Sequence, residues 1–259
     1  MSEHNPQGAN ANVPASNSPL ADALWAALGT VEDPELRRPI TELGMVERAQ
    51  AVSEDDGGYV ADVKILLTIE GCPLKTTIEQ DVRKAAGTVE GITRVQVEVG
   101  AMNADQRSAL KSRLKPERTN PFTAPGSLTR VFAVVSGKGG VGKSSMTANL
   151  AAAFASRGLA VGIIDADVHG FSIPGLLGVQ EAPTRLDDLI IPPAVDAPRE
   201  HGQVRGGSPG GFVKVISIGM FLKGNQPVAW RGPMLHRALE QFILDVHFGA
   251  LDILLLDLP

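Results

Sequence analysis

The chain has 259 residues, room for one or two domains at roughly 100–200 residues each. With 43% hydrophobic and 20% charged residues, its composition excludes a disordered, fibrous or membrane-embedded protein. The formal charge of −5 is uneven: −8 up to position 102, +3 over 103–129 and 0 over 130–259, and no segment is basic enough for a nucleic-acid footprint.

Residues 1–18 are polar, rich in Asn, Pro and Ala, and lack the basic start and apolar middle of a secretory signal, so they read as a disordered lead. From Pro19, Leu20, Leu24 and Leu28 recur at helical spacing up to Gly29. Asp33-Pro34-Glu35 follows, read as a helix start with Asp as N-cap and Pro at the first position, or alternatively as two carboxylates for a metal. Tyr59 to Glu70 alternates as a half-buried strand, Leu74, Ile78, Val82, Ala85 and Val89 return to helical spacing, and Val95, Val97 and Val99 alternate again. Residues 19–102 thus form a small α+β domain. Residues 103–129 carry Arg107, Lys111, Arg113 and Lys115 on a short helix and then Pro116, Pro121, Pro125 and Gly126, the pattern of a linker.

A new pattern starts at Arg130. Val131 to Val135 is an apolar strand, Lys143 to Arg157 an Ala-rich helix with Met146 and Phe154 at core spacing, and Leu159 to Ile164 a second apolar strand, together a βαβ unit. Gln180 to Gly211 reads as a long surface loop. A strand near Val213 to Ile218, a helix from Pro233 to His247 and a strand from Leu251 to Leu256 complete the row. The longest apolar runs fall far short of the roughly 20 residues a membrane helix needs. The single cysteine, Cys72, forms no internal disulfide, and the setting it suggests is reducing and cytoplasmic.

Between the first strand and the helix stands Gly137-Lys-Gly-Gly-Val-Gly-Lys-Ser144, which satisfies G-x4-G-K-[ST] in the place where a phosphate loop belongs. Gly137, Gly139, Gly140 and Gly142 let the backbone curl, with Val141 between them, so that the amides up to Ser145 converge on phosphates at the helix N-terminus. Lys143 would meet the β- and γ-phosphates and Ser144 would ligate Mg²⁺. Asp165 and Asp167 stand where the second strand runs out, at the carboxyl edge where such sheets bind ligands. Asp257 ends the run Ile253-Leu-Leu-Leu256, as expected of a carboxylate acting on Mg²⁺. For either strand-end position alone, a turn former or helix cap is the alternative.

Lys138 adds a second lysine to the loop, which resembles that of the dimerising ATPases that include nitrogenase iron protein, the arsenite-pump ATPase and the septum- and chromosome-positioning ATPases. Within that class, Asp165-Ala-Asp-Val-His-Gly-Phe-Ser-Ile-Pro174, Trp230-Arg-Gly-Pro-Met234 and Leu254-Leu-Leu-Asp-Leu-Pro259 are similar to the Mrp/ApbC-type iron–sulfur cluster carriers. Asp33-Pro-Glu-Leu36, Leu43-Gly-Met45 and Gly71-Cys-Pro73 resemble the small iron–sulfur assembly domain that such carriers often bear.

The fold this implies is α/β, a P-loop NTPase with a mainly parallel, incomplete sheet over residues 130–259, preceded by the small α+β domain. The implied activity is ATP hydrolysis coupled to carrying iron–sulfur clusters to apoproteins, in a cytoplasmic homodimer that uses ATP and Mg²⁺ and also engages assembly factors, with neither nucleic acid nor membrane as partner. By matching position, Lys138 would be the intersubunit lysine, Asp167 would orient the attacking water with Asp165 beside it, Ser144 would ligate Mg²⁺ and Asp257 would act on Mg²⁺ through its bound water.

Cys72 is a candidate cluster ligand, the alternative being a buried, inert thiol. His169 and Phe171 depart from the family pattern, so no role is carried to them. The family's paired Cys-x-x-Cys ligands do not occur in these residues, and the sheet ends at the Mg²⁺ strand, which points to a partial sequence. A positioning ATPase and a non-catalytic interaction protein are the alternative functions.

Overall fold

The computed structural model describes residues 19–54, 57–69, 74–114, 120–167, 170–197, 211–221 and 232–259. The lead at 1–18, Cys72, His169, Trp230 and Arg231 lie outside them. The chain divides into two compact units, one up to Leu110 and one from Lys111.

The first unit opens with α1 (Pro19–Leu28), which buries Leu24 and Leu28 completely. Where a helix start is expected at Asp33, the structure has a turn: Asp33 Oδ1 accepts the amides of Glu35 at 2.9 Å and Leu36 at 2.8 Å. Arg37 then takes a positive φ of 56° and Glu32 bridges to Pro39, so the cap chemistry closes a loop and no helix follows. The sheet consists of β1 (Val46–Ser53), β2 (Tyr59–Leu67) and β3 (Ile92–Ala101), with α2 (Lys75–Ala86) crossing between the parallel pair β2 and β3. β1 runs antiparallel to β2 and is absent from the sequence reading. A register shift between Val46 and Arg48 breaks its alternation, so the buried residues, Val46 and Ala49, stand three apart. α3 (Ala104–Leu114) occupies the start of the segment read as a linker and buries Leu110, with the boundary between the units falling inside it.

The second unit is built on a five-stranded sheet. Its strands are β4 (Arg130–Val134), β5 (Ala160–Asp165), β8 (Ala194–Asp196), β9 (Phe212–Ser217) and β10 (Ile253–Asp257), in the order β4-β10-β5-β9-β8. All pairs are parallel except β8 with β9. The fold is thus α/β with a mainly parallel sheet. α4 (Lys143–Ala155) lies on one face, its Ala148, Ala151 and Ala155 packed on Val161, Val213 and Leu255. The one-turn α5 (Ile173–Leu176) adds Ile173 to that cluster, and α6 (Gly232–Leu244) lies on the other face, with Ala238 and Phe242 in one cluster with Ile164, Ile216 and Leu254.

Two expectations are corrected here. Met146 is 58% exposed and not in the core, because α4 turns its alanine stripe to the sheet and Met146 lies about half a turn away, on the opposite face of the helix. The supposed loop Gln180–Gly211 holds β8 and a hairpin of β6 (Thr184–Leu186) and β7 (Leu189–Ile191), with Asp187 at φ 55° in the turn. Strands of three residues are too short to show a period. β4, the other edge of the sheet, exposes both faces, Val131 by 44% and Phe132 by 46%.

Candidate functional site

The site forms at the carboxyl ends of β4, β10 and β5. β10 comes last in the sequence but lies between the other two, which sets Asp257 opposite Val134 on one side and opposite Asp165 on the other. Strand order therefore brings the phosphate loop and both carboxylates to one edge.

Two glycines of the loop meet a backbone requirement. Gly140 has φ 75° and Gly142 has φ 87°, a region that a Cβ makes costly. Gly142 is also the N-cap of α4 and brings no side chain to bond the first amides, which leaves that duty to an anion at the positive end of the helix. Gly137 and Gly139 have neither positive φ nor a neighbour within 4 Å of a built Cβ. Their glycine character answers no crowding inside this chain. Val141 is 51% exposed, and Lys138 and Ser145 are exposed as well. The Lys138 ammonium makes no ion pair among the described residues; its carbonyl accepts Ser136 Oγ at 3.1 Å.

Asp257 has zero exposure and is bound from three sides. Its Oδ2 accepts Lys143 Nζ and Ser144 Oγ, each at 2.7 Å, and its Oδ1 accepts Thr147 Oγ1 at 2.7 Å. The Lys143 side chain is only 10% exposed, and Asp167 Oδ2 stands 3.9 Å from its Nζ. Asp167 is steadied by the Gly170 amide, which donates to Oδ1 at 3.0 Å. Asp165, on the neighbouring strand, accepts the Asp167 amide on Oδ1 at 3.2 Å, and its Oδ2 is buried with no hydrogen-bond partner among the described residues. Burial pushes the Asp165 carboxyl up to about 6, helped by the charge of Asp257 and opposed by hydrogen bonds that include Ser217.

Five of the residues singled out from the sequence, Lys143, Ser144, Asp165, Asp167 and Asp257, thus meet within a few ångströms. Lys138 stands apart from them, and Cys72 and the alternating pattern's end at Glu70 lie outside the described residues. Thr147 and Ser217 were missed. Thr147 carried a usable signal, a hydroxyl four residues after Lys143 and so on the same helix face.

Among the described residues no three His, Cys, Asp or Glu side chains gather into a metal site, and no helix is long and apolar enough to cross a membrane. The donor set that Mg²⁺ would use is a hydroxyl and a carboxylate, Ser144 and Asp257, already 2.7 Å apart; hard oxygen donors of this kind fit that cation.

Comparison with known families decides the assignment. The family described as NUBPL iron-transfer P-loop NTPase matches residues 127–259. The chain belongs to this family. Residues 21–99 also match the family described as iron–sulfur cluster assembly protein, so the resemblance read from both halves of the sequence is borne out. Among relatives, the iron–sulfur cluster carrier protein of Mycobacterium bovis is 50% identical over 243 residues, 93% of this chain and 59% of its own length. That of Deinococcus radiodurans is 44% identical over 241 residues, again 93% and 59%. That of Bacillus subtilis is 32% identical over 238 residues, 92% and 62%. The chain spans about three-fifths of the length of the curated relatives it matches.

Proposed function

We propose that this member of the P-loop family binds and hydrolyses ATP and uses it to carry iron–sulfur clusters to apoproteins. The observation that carries the proposal is the buried Asp257, tied at once to the loop lysine Lys143 and the loop hydroxyl Ser144. A structural ion pair would not need a phosphate loop around it.

In this reading Lys143 leaves Asp257 for the β- and γ-phosphates, whose charge competes for the ammonium, and the uncapped first turn of α4 receives phosphate oxygens. Ser144 and Asp257 hold Mg²⁺, which when bound neutralises charge on the phosphate oxygens. Asp167, in reach of Lys143 and braced by the Gly170 amide, orients the attacking water. Asp165 sets the turn that carries Asp167 by accepting its amide. The exposed Lys138 reaches the nucleotide of a second copy in a homodimer. The amides of Gly137, Gly139, Gly140, Val141, Gly142 and Ser145 complete the phosphate cradle.

The cluster is cargo in this proposal. Cys72 enters as one ligand among several, because clusters are held by about four thiolates and the chain has one. The partners are apoproteins and assembly factors in the cytoplasm, a setting that the single cysteine among these 259 residues supports. Two measurements on the full-length protein test this. Lys143→Ala is expected to abolish ATP turnover, and unchanged turnover would refute the site. Cys72→Ser is expected to slow transfer of a reconstituted cluster to an apoprotein; undiminished transfer removes the thiol from the mechanism.

A further inference from the structure

Three side chains converge on Asp257, and they divide between its oxygens. Oδ2 takes Lys143 and Ser144, and Oδ1 takes Thr147, all at 2.7 Å. The nucleotide reading gives Lys143 to the phosphates and Ser144 to Mg²⁺, so both partners of Oδ2 acquire another task when nucleotide binds. Thr147 has no second task of that kind. Its side chain is completely buried on the second turn of α4.

The hydroxyl has one proton and two acceptors in range, the Lys143 carbonyl at 3.1 Å and Asp257 Oδ1 at 2.7 Å. The shorter, charge-assisted bond to the carboxylate is the stronger. Because Asp257 has zero exposure, an Oδ1 that lost this donor would gain no water in its place. A carboxylate anchored at one oxygen presents the other in a set direction; released, it turns about its terminal torsion, which is broad and weakly restrained.

We infer that Thr147 is the positioning residue for Asp257: it holds Oδ1 throughout the nucleotide cycle and thereby aims Oδ2 at the Mg²⁺ shared with Ser144. The inference rests on the nucleotide reading above and goes beyond it by assigning an outer-shell partner. Such partners orient the groups that act on a metal, and their removal costs about 10–100-fold in metal affinity.

The test uses the full-length protein and a fluorescent ADP analogue, titrated first in EDTA and then against rising Mg²⁺. Thr147→Val, which keeps the shape and removes the hydroxyl, is expected to bind the analogue in EDTA as the parent does. It should need about 10–100-fold more Mg²⁺ to reach half of the metal-dependent tightening. Thr147→Ser should restore the parent value. An unchanged Mg²⁺ half-point in Thr147→Val overturns the inference, and so does an equal loss with and without Mg²⁺, which is what a general packing role would produce. Should circular dichroism show Thr147→Val unfolded, Thr147→Cys, a weak donor, takes its place; an unchanged half-point there is equally fatal. If the parent itself shows no Mg²⁺-dependent binding, the nucleotide reading has failed, a result distinct from any difference between the variants.

Discussion

In the three-stranded sheet of the first unit, charge lies on the water-facing side. Arg48 pairs with Asp62 at 2.8 Å, and Lys64 bridges Glu47 and Glu98 at 3.0 Å each, from side chains between a quarter and just over a half exposed. In the five-stranded sheet, Asp165 and Asp257 stand at strand ends with zero exposure, and one oxygen of Asp165 has no partner among the described residues. The first arrangement costs little and yields little, because water competes for every exposed ion pair. The second is costly to leave unsatisfied, because a buried carboxylate that loses a donor finds no substitute. The carboxyl edge of the parallel sheet thus concentrates buried polar groups, whereas the charged ladder of the other sheet is a solvated face.

The largest test of that contrast is Lys143→Ala. It removes a cation from a site with almost no solvent, and ATP turnover should fall by about a thousandfold or more, the scale of losing a preorganised charge-stabilising group; a steady-state phosphate-release assay measures it. A fall of only a few-fold would place this lysine with the surface pairs.

Asp165→Asn comes next, read through pH. Burial raises the carboxyl of Asp165 from the ordinary 3.8 to about 6, so the folded chain holds its proton more tightly than the unfolded chain does. That contribution to stability is fully present below about 3.8 and is lost as pH rises through about 6, a difference of roughly 3 kcal/mol between the two limits. The asparagine variant carries no such proton. Urea unfolding from pH 4 to pH 8 should show the variant gaining on the parent as pH rises, and a constant difference would remove the buried-acid assignment.

Asp167→Asn should lower kcat by about a hundredfold with nucleotide affinity kept, since a water-orienting carboxylate acts on the chemical step; a matching loss of affinity would make it a binding residue instead. The smallest effect belongs to the first sheet. Arg48→Met, which keeps the apolar stem, should cost less than about 1 kcal/mol, and the difference should shrink in high salt. A larger, salt-independent loss would show that the ladder is structural after all.

Local features were legible in the sequence and context-dependent ones were not. The phosphate loop is a motif of eight contiguous residues, so spacing alone identified it. Asp257 announced itself by the apolar run before it. β1 escaped because the shift between Val46 and Arg48 destroys the period that would reveal it, and β6, β7 and β8 because three residues carry no period. Asp33 and Pro34 promised a helix start, but the same side-chain-to-amide bonds close a turn, and only the path of the chain to Pro39 distinguishes the two. Met146 was misplaced because helical spacing gives several faces and packing selects one.

By itself the amino-acid sequence determined the α/β class, the loop and its cation, and the identity of the carboxylates, since each is a property of residues a few positions apart. The tertiary structure alone decided that β10 inserts between β4 and β5, placing Asp257 opposite Asp165 across a strand pair and within 2.7 Å of Lys143, 114 residues earlier in the chain. It also turned the Thr147 hydroxyl to the second oxygen of that carboxylate. Strand order is set by burying the faces of whole strands beneath α4 and α6, a sum over many distant contacts that no local spacing records.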